Sequence, residues 1–351
     1  MADEINKFRR FRRGISLRGR LMLLVLVGIV PLLIFNFGYQ YIEYRSDVAA
    51  TGTRTLALAR TMSQLIEGEL NARVLALQTL ASDRALHDND VEAFRQRAQI
   101  FVDGQFPGAN IVLLRPDGQM IMNLRMRGVA LPVRPDLGSI RQVLTTGAPS
   151  VSNLFEGART ARLVLAIDVP VKADDGSIRY VLTMNPSLDI FDAIIRRQHF
   201  PESWVVSVFD RKAVIAARFP NAIKFVGHEA SSTLFQPLQT RDEGILDTTS
   251  LEGANLQTAF SHGDQFGWAV AIGIPHHELT GPVISSAVKT FGAGCMMLVI
   301  GLALAHFASR SIAGSINSLR LFGAAPDAIP ANPPPGGLPE ADNVAAASTR
   351  A

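Results

Sequence analysis

The sequence predicts an α+β protein in which a long N-terminal helix carries two antiparallel-sheet modules and two membrane-spanning helices flank the whole. Three observations support this prediction. Two long apolar stretches, residues 21–42 and 283–308, lie near opposite ends of the 351-residue chain. Each has the roughly 20 apolar residues that a helix needs to cross a bilayer. Between them, a proline-free stretch with helical spacing of apolar residues precedes segments in which apolar residues alternate.

The charges around the two apolar stretches predict their orientation. The leader, residues 1–20, contains seven basic residues: Lys7, Arg9, Arg10, Arg12, Arg13, Arg18 and Arg20. Arg310 and Arg320 follow the second stretch, so the positive-inside rule predicts cytoplasmic termini and an outward-facing central section. The first stretch is longer than the apolar region of a signal peptide and has no cleavage site, so we expect an uncleaved anchor. The leader is expected to contact anionic lipids and not nucleic acid.

The segment after the first span is predicted to be a long amphipathic helix. Residues 43–86 contain no proline, and their apolar residues recur at three- and four-residue steps. These residues are Leu58, Met62, Leu65, Ile66, Leu70, Val74, Leu77 and Leu80. Such spacing places an apolar stripe on one face of a helix. Because this helix continues the first span, movement at its far end would reach the membrane along one rigid element.

The remaining central section predicts two similar modules. The first, residues 43–200 with the long helix, is expected to be membrane-distal, and the second, residues 201–281, membrane-proximal. In the first we expect strands at 110–114, 119–124, 163–171 and 179–184, and helices at 91–102, 136–145 and 188–197. In the second we expect strands at 204–209, 214–218, 256–261 and 268–274, and a helix at 231–238. Turns with Asp-Gly, such as Pro116-Asp117-Gly118, separate successive strands.

Residues 43–281 resemble a known family, the double Cache sensor domain. The segments that carry the resemblance are NIVLLRPDGQMIMNLR, PSVSNLFEG, LVLAIDVPV followed by DDG, WVVSVFDRKAVIAAR, and FGWAVAIGIP. The resemblance implies two PAS-like modules outside a bacterial inner membrane, as in many histidine kinases and chemoreceptors. Two features depart from the family: Ala213 stands where a turn glycine is usual, and the Arg-x-Trp-Tyr pattern of amino-acid-binding members is absent. A free amino acid is therefore a less favoured ligand.

Two positions in the first module are the leading candidates for binding a ligand. Asn123 and Arg125 alternate along a predicted strand, so both side chains lie on one face, where Arg125 could bind a carboxylate. The alternative is a solvated strand end. Asp168 lies in an apolar strand, where an ionised carboxylate needs a partner. That partner could be Arg162, Arg125 or a ligand amine, and a purely structural ion pair is equally open.

The full set of candidate ligand-binding residues is Asn123, Arg125, Phe155, Arg162, Asp168, Tyr180 and Asn185. No motif for catalysis or phosphate binding is present, so we expect neither an enzyme nor a bound cofactor. The one cysteine, Cys295, cannot form an internal disulfide. His276 and His277 are adjacent and point in different directions, which makes a metal site unfavourable.

The C-terminal residues 309–351 resemble a partial HAMP linker with a Pro-rich stretch. They are too few for a kinase, so we expect the output in a continuation of the chain or in a separate cytoplasmic partner such as a kinase. Small residues in the second span, Gly292, Gly294, Gly301 and Ala305, suit helix packing in a homodimer. The sequence thus predicts the input part of a two-component-type receptor for a small organic molecule, a carboxylate being favoured. The alternative is a ligand-free envelope scaffold or partner-binding membrane protein.

Overall fold

A computed structural model describes residues 17–158 and 162–323 of the chain. The described part forms two compact units. One is Asp47–Leu279, and the other contains the described residues up to Ser46 together with those from Thr280 onward. Most of the basic leader and the Pro-rich tail lie outside the described residues.

Three helices open the fold: α1 (Leu17–Ala81), α2 (Arg84–His87) and α3 (Val91–Gln105). The break after Ala81 shortens the predicted long helix, because the Asp83 side chain accepts the Ala85 amide at 2.8 Å and starts α2 there. Six residues of the predicted apolar stripe are buried: Met62, Ile66, Leu70, Val74, Leu77 and Leu80. Leu58 and Leu65 are instead 42% and 43% exposed.

The first module is a five-stranded antiparallel sheet with a helix on its outer face. Its elements are β1 (Asn110–Leu114), β2 (Met120–Asn123), helix α4 (Gly138–Thr146), β3 (Ser150–Val151), β6 (Ile167–Lys172) and β7 (Ile178–Asn185). The strand order is β2-β1-β7-β6-β3. Two further strands, β4 (Phe155–Glu156) and β5 (Leu163–Val164), form a separate pair. The predicted strand 163–171 is thus two strands, β5 and β6.

The second module follows helix α5 (Asp189–Arg197) and repeats the connectivity of the first. Its elements are β8 (Val205–Phe209), β9 (Ile215–Phe219), α6 (Ala222–Phe225), α7 (Ser232–Thr240), β10 (Glu243–Thr249), β11 (Asn255–His262) and β12 (Ala269–Pro275). The strand order is β10-β11-β12-β8-β9, all antiparallel. The predicted α+β class with antiparallel sheets on a long helix is confirmed.

Helix α1 packs against one face of both sheets. Its buried stripe shares a core with Leu113 and Met184 of the first sheet and with Val270 and Ile272 of the second. The opposite faces have their own cores, with α4 on the first sheet and α7 on the second. Polar contacts also join α1 to the second module: the Glu67 carboxylate accepts the amides of Gln265 and Phe266 at 2.8 Å each. Each sheet therefore has one face that α1 covers and one face under a short helix.

The last helix, α8 (His276–Gly323), begins directly after β12. By length and composition, the helical segments Gly19–Ala81 and Val288–Arg310 each contain a stretch that could cross a membrane. In the unit that holds both stretches, a side chain at Gly294 would collide with Leu33, and one at Gly301 would touch Val25. Small residues on α8 therefore allow close packing against α1.

Candidate functional site

A buried charge cluster lies on the α4 face of the first sheet. Asp168 is fully buried on β6, and Nη1 of Arg134 donates to its two carboxylate oxygens at 2.8 and 2.9 Å. The hydroxyl of Ser139 donates to Oδ2 at 2.6 Å, and that of Thr183 donates to Oδ1 at 2.5 Å. Both carboxylate oxygens are thus saturated by donors from the same chain.

Each member of the cluster is placed by a different element. Thr183 stands opposite Asp168 in the β6–β7 register, and Ser139 lies at the start of α4. Arg134 follows the β2 hairpin, where its amide donates to the Gly118 carbonyl at 3.0 Å. Its guanidinium also donates to the Ser139 hydroxyl at 2.8 Å. A buried ion pair with this many hydrogen bonds meets the condition under which such a pair is tolerated.

The cluster answers one question that the sequence left open. The partner of Asp168 is neither Arg162 nor Arg125 but Arg134, which is 4% exposed. Phe155, another candidate, contacts the same cluster, because the Arg134 guanidinium carbon lies 4.8 Å from its ring centre. The Nε of Arg134 is buried without a hydrogen-bond partner among the described residues.

Asn123 is the last residue of β2, and Arg125 lies in the turn that follows, so the predicted strand does not extend to Arg125. Neither residue takes part in the hydrogen bonds of the Asp168 cluster. The side-chain oxygen of Asn123 accepts a hydrogen bond from the backbone amide of Arg125 at 3.0 Å. The side-chain nitrogen of Asn123 lies 3.3 Å from the Met126 sulfur. The exposed Arg125 guanidinium donates to the Gly108 carbonyl. The alternative of a solvated strand end fits the exposed Arg125 but not Asn123, which is 5% exposed.

The remaining candidates also have contacts within the chain. The Tyr180 hydroxyl donates to the Asn89 side chain at 2.6 Å, and the Asn185 amide donates to the Leu165 carbonyl at 2.9 Å. Arg162 is exposed, and its carbonyl accepts the Gly157 amide at 2.9 Å. A ligand-binding role for the seven candidates therefore stays a prediction.

Sequence reasoning missed Arg134, Ser139 and Thr183. Arg134 lies in a non-periodic segment before a proline, and its distance from Asp168 along the chain gives no hint that the two meet. The one available indication was an acidic residue, Asp168, in an otherwise apolar strand. It indicated that the carboxylate has a cationic partner but did not identify the residue that supplies the cation.

The second module has a cavity on the corresponding face, between α7 and the sheet. Its volume is about 40 Å³, and Arg218 of β9 and Leu234 of α7 are among the residues that line it. Arg218 is 3% exposed. Its Nη2 donates to Glu252 at 2.5 Å, and its guanidinium carbon lies 4.1 Å from the Phe225 ring centre. None of the seven sequence candidates lines this cavity.

No protein-family model matches the sequence, and no curated protein is matched by sequence. Solved structures do match. The extracellular domain of a histidine kinase, rpHK1S-Z16, has a TM-score of 0.57 at 15% identity, with 67% of this chain and 98% of that chain covered.

Two chemoreceptor domains are also similar. The periplasmic sensory domain of Campylobacter jejuni Tlp1 has a TM-score of 0.52 at 8% identity, with 67% of this chain and 99% of that chain covered. The ligand-binding domain of the Pseudomonas aeruginosa PAO1 amino acid chemoreceptor PctB, solved with L-Arg, has a TM-score of 0.50 at 16% identity, with 64% of this chain and 96% of that chain covered. The central part of this chain therefore has the fold of the extracytoplasmic, double-Cache-like sensory domains of histidine kinases and chemoreceptors.

Proposed function

We propose that this chain is the sensory part of a transmembrane receptor in a bacterial inner membrane. Its central unit, Asp47–Leu279, would lie in the periplasm and bind a small organic molecule, and both termini would lie in the cytoplasm. The chain would act without catalysis, through helix movement in a homodimer. A cytoplasmic kinase or another output partner would receive the signal.

One observation carries this proposal: both candidate spans continue directly into the sensory fold. Helix α1 is uninterrupted from Leu17 to Ala81, so one helix contains the first apolar stretch and the residues that pack on both sheets. At the other end, α8 starts at His276, the residue after the last strand of the second sheet. A change in either sheet thus has a continuous helical route to the apolar stretches. Shifts of about 1–2 Å are typical of such transitions.

The favoured ligand is a small organic carboxylate. The faces under α4 and α7 each present a buried arginine, Arg134 in the first module and Arg218 in the second. Arginine forms two parallel hydrogen bonds with a carboxylate, which fixes the orientation of the ligand as well as its position. In the first module, a ligand that accepts hydrogen bonds from Arg134 has to displace the Asp168 carboxylate. Alternatively, the ligand binds next to Asp168 and packs against the Phe155 ring.

One observation favours the second candidate function, a ligand-free envelope scaffold. The carboxylate of Asp168 is saturated by Arg134, Ser139 and Thr183, so the polar centre of the first module is complete without a ligand. A scaffold would keep this cluster as a structural element and would use its surface to hold a partner.

The two candidates are separated by a thermal-shift screen of the full chain in lipid nanodiscs. The library contains small carboxylates, amines and polyols. A ligand at 100 times its dissociation constant stabilises the bound state by about 2.7 kcal/mol. For a domain of this size class, that corresponds to a rise in Tm of roughly 5–11 °C. A reproducible rise supports the receptor.

Variants then test the predicted residues, each measured against its own unliganded Tm. Loss of the ligand shift in Asn123→Ala, Arg125→Ala or Asp168→Asn would assign the ligand to the first module. A matched control is Asp174→Asn, because the Asp174 side chain is fully exposed. If no compound in the library raises the Tm of the native chain, the result contradicts the receptor and favours the scaffold.

A further inference from the structure

The cavity of the second module has the size and chemistry of a small binding site. It is about 40 Å³ in volume. Roughly 10–15 Å³ of such space holds one water molecule, so about three or four non-hydrogen atoms fit. Acetate, with four non-hydrogen atoms, is a molecule of this size, and propionate has one atom more. The cavity lies beneath α7 on the sheet face opposite α1, where Ala271 and Gly273 of β12 line it.

The lining divides into an apolar part and a polar part. Ile215, Leu234 and Leu256 contribute apolar surface, suited to a short alkyl chain. The polar part consists of hydroxyl side chains and one arginine: Ser207, Ser231, Thr248, Thr258 and Arg218 are among the lining residues. Of the described residues that line the cavity, Arg218 alone carries a charge. This combination fits a molecule with one anionic end and one apolar end.

Arg218 is held in place but is incompletely bonded. Phe225 supports its guanidinium, and Nη2 donates to Glu252. Its Nε is buried and has no hydrogen-bond acceptor among the described residues. A buried donor without an acceptor carries a desolvation penalty that a ligand oxygen would remove.

Glu252 reaches Arg218 from the solvent side. It lies in the turn between β10 and β11, and its side chain is 31% exposed. An exposed carboxylate contributes less to such a pair than a buried one, because water screens the interaction. The Glu252 carboxylate can therefore return to solvent if another anion replaces it on Arg218, whereas the Asp168 carboxylate of the first module is fully buried.

We propose that the second-module cavity binds a short-chain organic carboxylate whose carboxylate replaces Glu252 on Arg218. This inference rests on the proposed receptor function and names a site and ligand class for it. The ligand oxygens bond to the guanidinium, including its free Nε, and the alkyl chain lies against Leu234. Glu252 competes with the ligand inside the same chain, which lowers the apparent affinity.

The location connects the ligand to the second span. Gly273 lines the cavity and lies three residues before α8 begins at His276. Release of Glu252 also removes the contact between Arg218 and the β10–β11 turn, whose residues Ser250 and Leu251 line the cavity. Occupation of the cavity thus changes the environment of the strand that leads into the second apolar stretch.

The test is calorimetric titration of the full chain in lipid nanodiscs with acetate and propionate, and with acetamide and propionamide as uncharged controls of matching shape. We expect the carboxylates to bind and the amides not to bind. Glu252→Gln removes the internal competitor, so carboxylate affinity should rise roughly tenfold. Arg218→Met should weaken binding by about tenfold or more, and Asp174→Asn should match the native chain.

Each contrary outcome has a distinct meaning. Unchanged or weaker affinity in Glu252→Gln, or equal binding of the amides, overturns the inference even if Arg218→Met fails to fold. If carboxylate binding is lost in Asp168→Asn but unchanged in Glu252→Gln, the ligand binds in the first module. In that case this inference is wrong, and the proposed receptor function is retained. If no carboxylate binds while another ligand raises the Tm of the full chain, this inference alone is wrong. If nothing binds, both are wrong.

Discussion

Replacement of Asp168 by asparagine is the sharpest test of the charge cluster. The substitution keeps the shape of the side chain but removes its charge, which leaves the Arg134 guanidinium buried without a counter-ion. Asp168 accepts hydrogen bonds from Arg134, Ser139 and Thr183 on its two oxygens. An asparagine has one acceptor oxygen, and its amide group would face donors.

The magnitude follows from the burial of both partners. Removal of one partner from a buried ion pair costs about 3–5 kcal/mol, because the remaining charge is uncompensated. Domains of 150–250 residues lose about 2–4 °C of Tm per kcal/mol, so we expect Asp168→Asn to lower the Tm by roughly 6–20 °C. Arg134→Met should cost a similar amount. The double variant Arg134→Met with Asp168→Leu removes both charges and should cost less than the sum of the two single changes.

The assay is thermal unfolding of the full chain in nanodiscs, followed by near-ultraviolet circular dichroism of Trp204 and Trp268. Trp268 is buried against Phe191, with ring centres 5.2 Å apart, so its signal reports tertiary packing. Asp174→Asn is the control for a carboxylate-to-amide change at an exposed position. A loss below about 1 kcal/mol in Asp168→Asn, or strictly additive single variants, would refute the assignment of this cluster as a coupled buried pair.

Two further predictions concern other parts of the chain. Gly294→Val should lower the Tm and disturb packing of the apolar helices, because a side chain there collides with Leu33. Gly292→Val is the control and should have little effect, since space is open around Gly292. Cross-linking of cysteines placed on the two helices measures the difference in packing between the two variants. The hydrogen bond from Arg60 lowers the pKa of Glu243, so the pair stabilises the fold above the unfolded pKa of glutamate, about 4.3, and this contribution is lost as the pH falls through the lowered value. The Tm values of the native chain and Glu243→Gln should therefore differ at pH 7 and converge well below pH 4, and a constant difference across that range would contradict the expectation.

The features that could be predicted from the sequence are those set by local patterns. The strand Asn110–Leu114 was predicted with the bounds that the structure has, because turn residues mark both sides of a short apolar run. The α1 stripe from Met62 to Leu80 followed from helical periodicity. The unusual turn at Ala213 was also visible, since a glycine is usual there. Ala213 has a φ of +60°, the left-handed conformation that glycine adopts more easily.

The features that were missed depend on contacts distant in sequence or on weak local patterns. Strand β10 is an edge strand whose residues are mostly exposed or half-buried, so GILDTT offers no strong apolar alternation. The partner of Asp168 comes from a loop whose position depends on the whole first module. The Arg218–Glu252 pair likewise joins two elements through the packing of the second sheet. A single sequence carries no signal for such pairings.

The two modules differ on the sheet face that carries the short helix. In the first sheet, Asp168 on β6 pairs with Thr183 on β7, and both side chains belong to the charge cluster. In the second, Thr258 on β11 pairs with Gly273 on β12, and both line the cavity. The hairpins of the two modules align Val112 of β1 with Ser207 of β8. Asp168 and Thr183 therefore correspond to Phe260 and Ala271, so the second module has an apolar pair where the first has a polar one.

This difference decides which module can respond to a ligand at low energetic cost. To admit a ligand at its polar centre, the first module has to break a fully buried ion pair, which costs several kcal/mol. The second module has to release only Glu252, which is partly solvated and can be rehydrated. The second module is also the one whose last strand continues into α8. Substitution of Glu252 leaves Arg218 buried without its counter-ion and therefore also lowers stability. We expect this loss to be smaller than the loss on substitution of Asp168, which is fully buried and accepts hydrogen bonds from three residues, and we expect substitutions at Glu252 to alter signalling.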